Sequence, residues 1–94
     1  MNINIFCNYE VEMHTKGSNR VGFDEFEKFE ETNTQIINGG SLLNILGVIL
    51  SNNLLISLDI DIENQTIKCE LFNPTTGEGE DTTYKIKMIG VSNE

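Results

Sequence analysis

The sequence predicts an α+β fold: a four- to five-stranded, mainly antiparallel sheet in β-α-α-β-β-β order, with two short helices packed on one face. Three observations predict it. Apolar and polar residues alternate with period two towards both ends of the chain. Two stretches between them break that period, one with Phe spaced by three and one apolar on nearly all sides. Short polar turns separate the later strands, as hairpin-connected antiparallel strands require. A chain of 94 residues fits one domain, 1–94, with a core just large enough to need no staples.

The opening segment places Ile3, Ile5, Cys7, Tyr9, Val11 and Met13 on one face and Asn2, Asn4, Asn8, Glu10, Glu12 and His14 on the other, with Phe6 out of step. Period two over this length predicts a half-buried strand. Gly17, Ser18 and Asn19 are turn formers and predict a turn, with a short return strand over residues 21–23. In "FDEFEKFEE", Phe23, Phe26 and Phe29 recur near helical spacing among five acids, and Asp24 with Glu27 resembles a capping box. A helix over 24–32 is expected, with the Phe stripe as core. Ile36 and Ile37 then form a connector or a short strand.

Ser41 is placed to cap a second helix through "LLNILGVILS". Gly47 and the β-branched residues leave a strand over 45–50 as the competing reading. From residue 54 period two returns, with Leu54, Ile56, Leu58, Ile60 and Ile62 on one face and Ser57, Asp59, Asp61 and Glu63 on the other. A two-residue turn at Asn64 and Gln65 sets Ile62 opposite Ile67, Ile60 opposite Cys69, Leu58 opposite Leu71, Asp61 opposite Lys68 and Asp59 opposite Glu70. The last strand turns Tyr84, Ile86 and Met88 inward and Lys85 and Lys87 outward. The stretch "NPTTGEGEDTT" joins it to its predecessor: Pro74 stops the ladder, Gly77 and Gly79 permit the reversal, and a mobile acidic tip is expected.

Charge narrows the function. Fifteen acids against six bases give a net charge of −9, and such a surface repels phosphate backbones, so direct nucleic-acid binding is not expected. The same field accelerates encounter with a basic protein. The most apolar stretch is interrupted by Asn44, Asn52 and Asn53, too polar for a membrane span. The first residues lack a signal peptide's basic and apolar regions, so a cytoplasmic setting with reduced thiols is expected.

Catalytic and cofactor patterns fail one by one. Asp59, Asp61, Glu63 and Glu70 fall at EF-hand spacing, but Asn64 stands where that loop needs Gly and the flanks read as strands. A pair of carboxylates of glycosidase type needs a deeper pocket than a chain of this size offers. His14 is the single histidine and has no nucleophile in a recognisable elbow. Cys7 and Cys69 match no zinc or CxxC spacing and point to the apolar face. "GSNRVG" and "TGEGED" lack the phosphate-loop pattern. No enzyme, cofactor or metal site is expected.

The expected function is that of a small acidic binding protein that occludes a basic partner, either a nucleic-acid-binding nuclease or a toxin. An anti-defence role of anti-CRISPR type and a toxin-immunity role fit that physics equally. The candidate contacts are the acid clusters Asp24, Glu25, Glu27, Glu30 and Glu31; Asp59, Asp61 and Glu63; and Glu78, Glu80 and Asp81. The alternative is a structural or assembly subunit acting through homo-oligomerisation, with a homodimer as its simplest form.

Overall fold

A computed structural model describes residues 2–91. The elements are β1 (Cys7–Gly22), β2 (Glu25–Asn38), α1 (Gly39–Leu50), β3 (Leu55–Asp61), β4 (Thr66–Phe72) and β5 (Gly79–Val91). All pairings are antiparallel, in one five-stranded sheet of order β2-β1-β5-β4-β3. The expected β-α-α-β-β-β order with two helices is thereby overturned: the elements run β-β-α-β-β-β, with one helix.

The missing helix, expected over 24–32, is the first half of β2. Its Phe residues misled because a spacing of three in a strand puts neighbours on opposite faces. Phe29 lies across from Gly17 of β1, whereas Phe26 lies across from Arg20 on the other face. The stripe is not core: Phe23 is 86% exposed and Phe26 46%. Weak helix propensity loses here to the long ladder that β1 offers from Asn8 to Gly22.

The expected turn at residues 17–19 also moves. Gly17, Ser18 and Asn19 sit inside β1, and the reversal comes at Phe23 and Asp24, where Asp24 has a left-handed φ of 55°. Asp tolerates that conformation better than most side chains. Gly17 instead serves close approach: a Cβ there would overlap the Gly79 carbonyl oxygen and lie 3.0 Å from the Phe29 ring. The long β1–β2 hairpin runs past the other strands, which makes the molecule 52 Å long but only 25 and 21 Å across.

Helix α1 follows β2 directly. Its N-cap is Asn38 rather than Ser41, the Asn38 side chain accepting a 2.8 Å bond from the Ser41 backbone N–H. Leu42 is fully buried, and Ile45, Leu46 and Ile49 are half-buried at helical spacing. The helix carries the chain from the β2 edge to β3 at the opposite edge. Twelve residues rise about 18 Å, close to the roughly 19 Å across five strands.

The core lies between α1 and one face of the sheet and comprises Cys7, Tyr9, Val11, Leu42, Ile67 and Ile86. Thr15 and Thr82 are buried on the same face with their hydroxyls 3.2 Å apart, so each satisfies the other. Gly39 is buried against the Asn4 backbone, which a side chain at this position would strike. Tyr9 fixes the same segment by accepting at its hydroxyl a 2.8 Å bond from the Asn4 N–H.

The β3–β4 hairpin has a four-residue turn, 62–65, rather than a two-residue one. Asp61 closes it by accepting from the Asn64 backbone (3.1 Å) and side chain (2.8 Å), and Gln65 takes a φ of 52°. The register is displaced by two residues from expectation: Ile60 meets Ile67, Leu58 meets Cys69 and Asp59 meets Lys68. A shift of two preserves the faces. It also replaces the expected Asp59–Glu70 repulsion with an attractive Asp59–Lys68 pair.

Candidate functional site

Strand order sorts the predicted acids into two groups. Asp24 lies in the β1–β2 turn, and Glu25, Glu27, Glu30 and Glu31 lie on β2. Glu78 ends the β4–β5 loop, and Glu80 and Asp81 lie on β5. These two clusters are distant in sequence, yet β1 brings them together: Gly17 is flanked by Phe29 and Glu80, and Lys16 by Glu30 and Asp81. A direct bond fastens the two regions, the Arg20 N–H donating to Glu78 Oε2 at 2.9 Å. The third cluster stays apart: Asp59 and Asp61 are on β3 and Glu63 is in its turn, at the opposite edge of the sheet.

The loop over residues 73–78 is built around Asn73. Its side-chain oxygen accepts from the Thr75 and Thr76 N–H groups at 3.0 and 3.4 Å, and its carbonyl from Gly77 at 2.7 Å. Glu78 is held by Thr76, whose hydroxyl donates to Glu78 Oε1 at 3.1 Å. The loop is shorter than expected because Gly79, Glu80 and Asp81 already belong to β5, and it is closed by these internal bonds. Gly77, at φ 79°, lies against the Phe26 ring, so the loop packs on the hairpin.

Glu70 joins this end as well. On β4 it lies opposite Asp81, so the row across the polar face runs Glu70, Asp81, Lys16, Glu30. Two directly opposed carboxylates are unfavourable in a sheet by roughly 0.2–1 kcal/mol. The sequence did not reveal this contact, because the β4–β5 register depends on the length of the Asn73 turn. A shallow depression of about 630 Å³ lies over this row, lined by Lys16, Lys28, Glu30, Glu70, Phe72 and Asp81 among others. The ion pair formed among the described residues joins His14 Nε2 to Glu30 Oε1 at 3.3 Å when His14 is protonated. The remaining carboxylates of this end make no ion pair among the described residues and meet solvent.

Apolar side chains sit among the acids. Phe23 is the most exposed large hydrophobic residue among those described, with Val21 and Phe26 exposed on the same hairpin and Phe72 at the end of β4. Cys7 and Cys69 are both buried and free, at opposite ends of the apolar face, Cys7 level with Val91 and Cys69 with Thr82. Burial, with the Glu80 carboxylate adding to it, raises the Cys69 thiol pKa and keeps it protonated. Hydrogen bonds from Asn64 hold the Asp61 carboxyl below its ordinary range, marking a turn cap. Among the described residues no group of three or more His, Cys, Asp or Glu is arranged to hold a metal ion. No helix among them is long and apolar enough to cross a membrane.

The class so defined is a five-stranded antiparallel sheet with one covering helix and an acidic, aromatic-tipped hairpin. No protein-family model, no curated protein and no solved structure matches the chain.

Proposed function

We propose that this chain is a non-catalytic binding protein that docks its acidic end onto a basic surface of a larger protein, such as a nuclease's nucleic-acid groove or a cationic toxin. The observation that carries the reading is the convergence of two acid clusters, distant in sequence, on one end of the sheet, where Phe23 and Phe26 are exposed. Charge alone would serve solubility. Charge gathered around an exposed aromatic side chain is the arrangement of a docking site, in which acids steer the encounter and an apolar anchor slows dissociation. Asp59, Asp61 and Glu63 leave the contact set, since they lie across the sheet.

Steering and anchoring separate in experiment. Basic nuclease or toxin subunits are expected on the tagged chain in affinity capture, with an association rate falling about tenfold or more from low to high ionic strength. A rate indifferent to salt, or a catch without basic proteins, would sink the proposal. Phe23→Ala is expected to act on dissociation, weakening binding by roughly 1–3 kcal/mol while leaving the melting temperature unchanged, because the side chain has almost no contacts to lose. An anti-defence role and a toxin-immunity role make the same demand on this surface, and the identity of the captured protein distinguishes them.

A further inference from the structure

The two edges of the sheet are protected unequally. A free strand edge presents unpaired N–H and C=O groups, and proteins blunt such edges with charges or bulges. β3 carries both: Asp59 and Asp61 lie on it, and its register shifts at Ile56, between Leu55 and Ser57. The first half of β2 carries Glu25, Glu27, Lys28, Glu30 and Glu31, opposite a bulge in β1 at Val21. Its second half, residues 32–38, carries neither. No Asp, Glu, Lys or Arg occurs between Glu31 and Asp59, the β1–β2 register there is regular, and every residue from Thr32 to Ile36 is exposed, Ile36 at 66%.

We infer that this edge pairs with the same edge of a second copy, giving a two-fold dimer with a continuous ten-stranded sheet. The argument for a second copy is electrostatic. At −9 per chain, two copies repel wherever acids meet, and a basic partner is drawn to the acidic end rather than to this uncharged one. Antiparallel pairing centred on Thr34 sets Thr34 against itself, Thr32 against Ile36 and Asn33 against Gln35, all uncharged. Beyond these, Glu31 meets Ile37 and Glu30 meets Asn38, the N-cap, where the positive helix end tolerates a carboxylate. The acidic halves of the two β2 strands run outward in opposite directions. Such a contact is isologous and closes at two subunits, so it does not propagate into fibres.

The faces agree with this register. Paired residues share a face, so both helices lie on the same side of the joined sheet. The apolar pocket of about 200 Å³ beneath α1 is lined on its β2 side by Asn33, Gln35 and Ile37, with Val11, Met13, Ile45 and Tyr84 completing it. Pairing brings the second copy's amides to its rim. The dimer then carries two acidic tips at its far ends, away from the joint, and the inference stands whether or not those tips bind a basic protein.

Sedimentation equilibrium or light scattering on the full chain tests it across a concentration series. The expected mass approaches twice the 10.6 kDa of one chain, and added salt tightens self-association by screening the repulsion between copies. Salt weakens capture of a basic partner, so the two readings fail separately. Thr34→Lys sets two ammonium groups opposite one another at the axis and is expected to give monomers with an unchanged circular dichroism spectrum, since Thr34 is exposed in the single chain. Ile56→Lys, on the other edge, is expected to leave the dimer intact. A monomer at every concentration overturns the inference, as does a dimer that survives Thr34→Lys or dissociates with Ile56→Lys.

Discussion

Leu42→Ala is expected to lower the unfolding free energy by about 2–5 kcal/mol, through lost burial and the cavity left behind. Leu42 is 1% exposed and the largest fully buried side chain among the described residues. It is also the helix residue that sits in the core cluster with Tyr9, Val11 and Ile67. A domain of this size has only about 5–15 kcal/mol in total, so one truncation removes a large share. Thermal unfolding should shift downward by roughly 4–8 °C for each kcal/mol lost. A shift of only a few degrees would mean that the helix is not seated on the sheet as described. Val48→Ala is the control, because Val48 is 62% exposed on the same helix and should change little.

Gly17→Ala tests the sheet in the same way, and here strand propensity and packing predict opposite signs. Glycine inside a strand costs about 0.5–1 kcal/mol relative to alanine, so a reading from propensity expects the substitution to stabilise. The added Cβ would instead overlap the Gly79 carbonyl oxygen and press on the Phe29 ring. A backbone atom in a paired strand cannot swing aside as a side chain can, and overpacking of this kind costs about 1–3 kcal/mol, occasionally more. The steric cost exceeds the entropic gain, so net destabilisation is expected in denaturant titration. A variant as stable as the parent, or more so, would place β5 farther from β1 than the register of Gly17 with Glu80 puts it.

These two positions show how differently the sequence bears on the fold. Leu42 was legible in part: the apolar run after Ser41 indicates a helix, with a strand over 45–50 as its competitor, and the structure then selects Leu42, Ile45, Leu46 and Ile49 as the face turned inward. Gly17 was not. Beside Ser18 and Asn19 it resembles a turn, and only the partners supplied by β2 and β5 make it a strand residue. Phe23, Phe26 and Phe29 misled for the same reason, since a spacing of three suits a helix and the chain's longest strand pairing decided otherwise. In the β3–β4 hairpin the faces followed from period two alone, whereas the register turned on Asp61 capping a four-residue turn through Asn64.

The candidate site divides along the same line. That Asp24 to Glu31 and Glu78 to Asp81 are acid clusters is written in the chain; that strand pairing gathers them at one end of the sheet is not. The inclusion of Glu70 and the removal of Asp59, Asp61 and Glu63 depend on strand order. By itself the sequence determined what is local: the period of each later strand, the apolar character of the segment that forms α1 and the excess of negative charge. Tertiary structure alone decided the hairpin's extent, the neighbours of each strand and the place where the acids gather. Periodicity is a property of consecutive residues, whereas strand pairing is a competition between distant segments, settled by the total of contacts each arrangement can make.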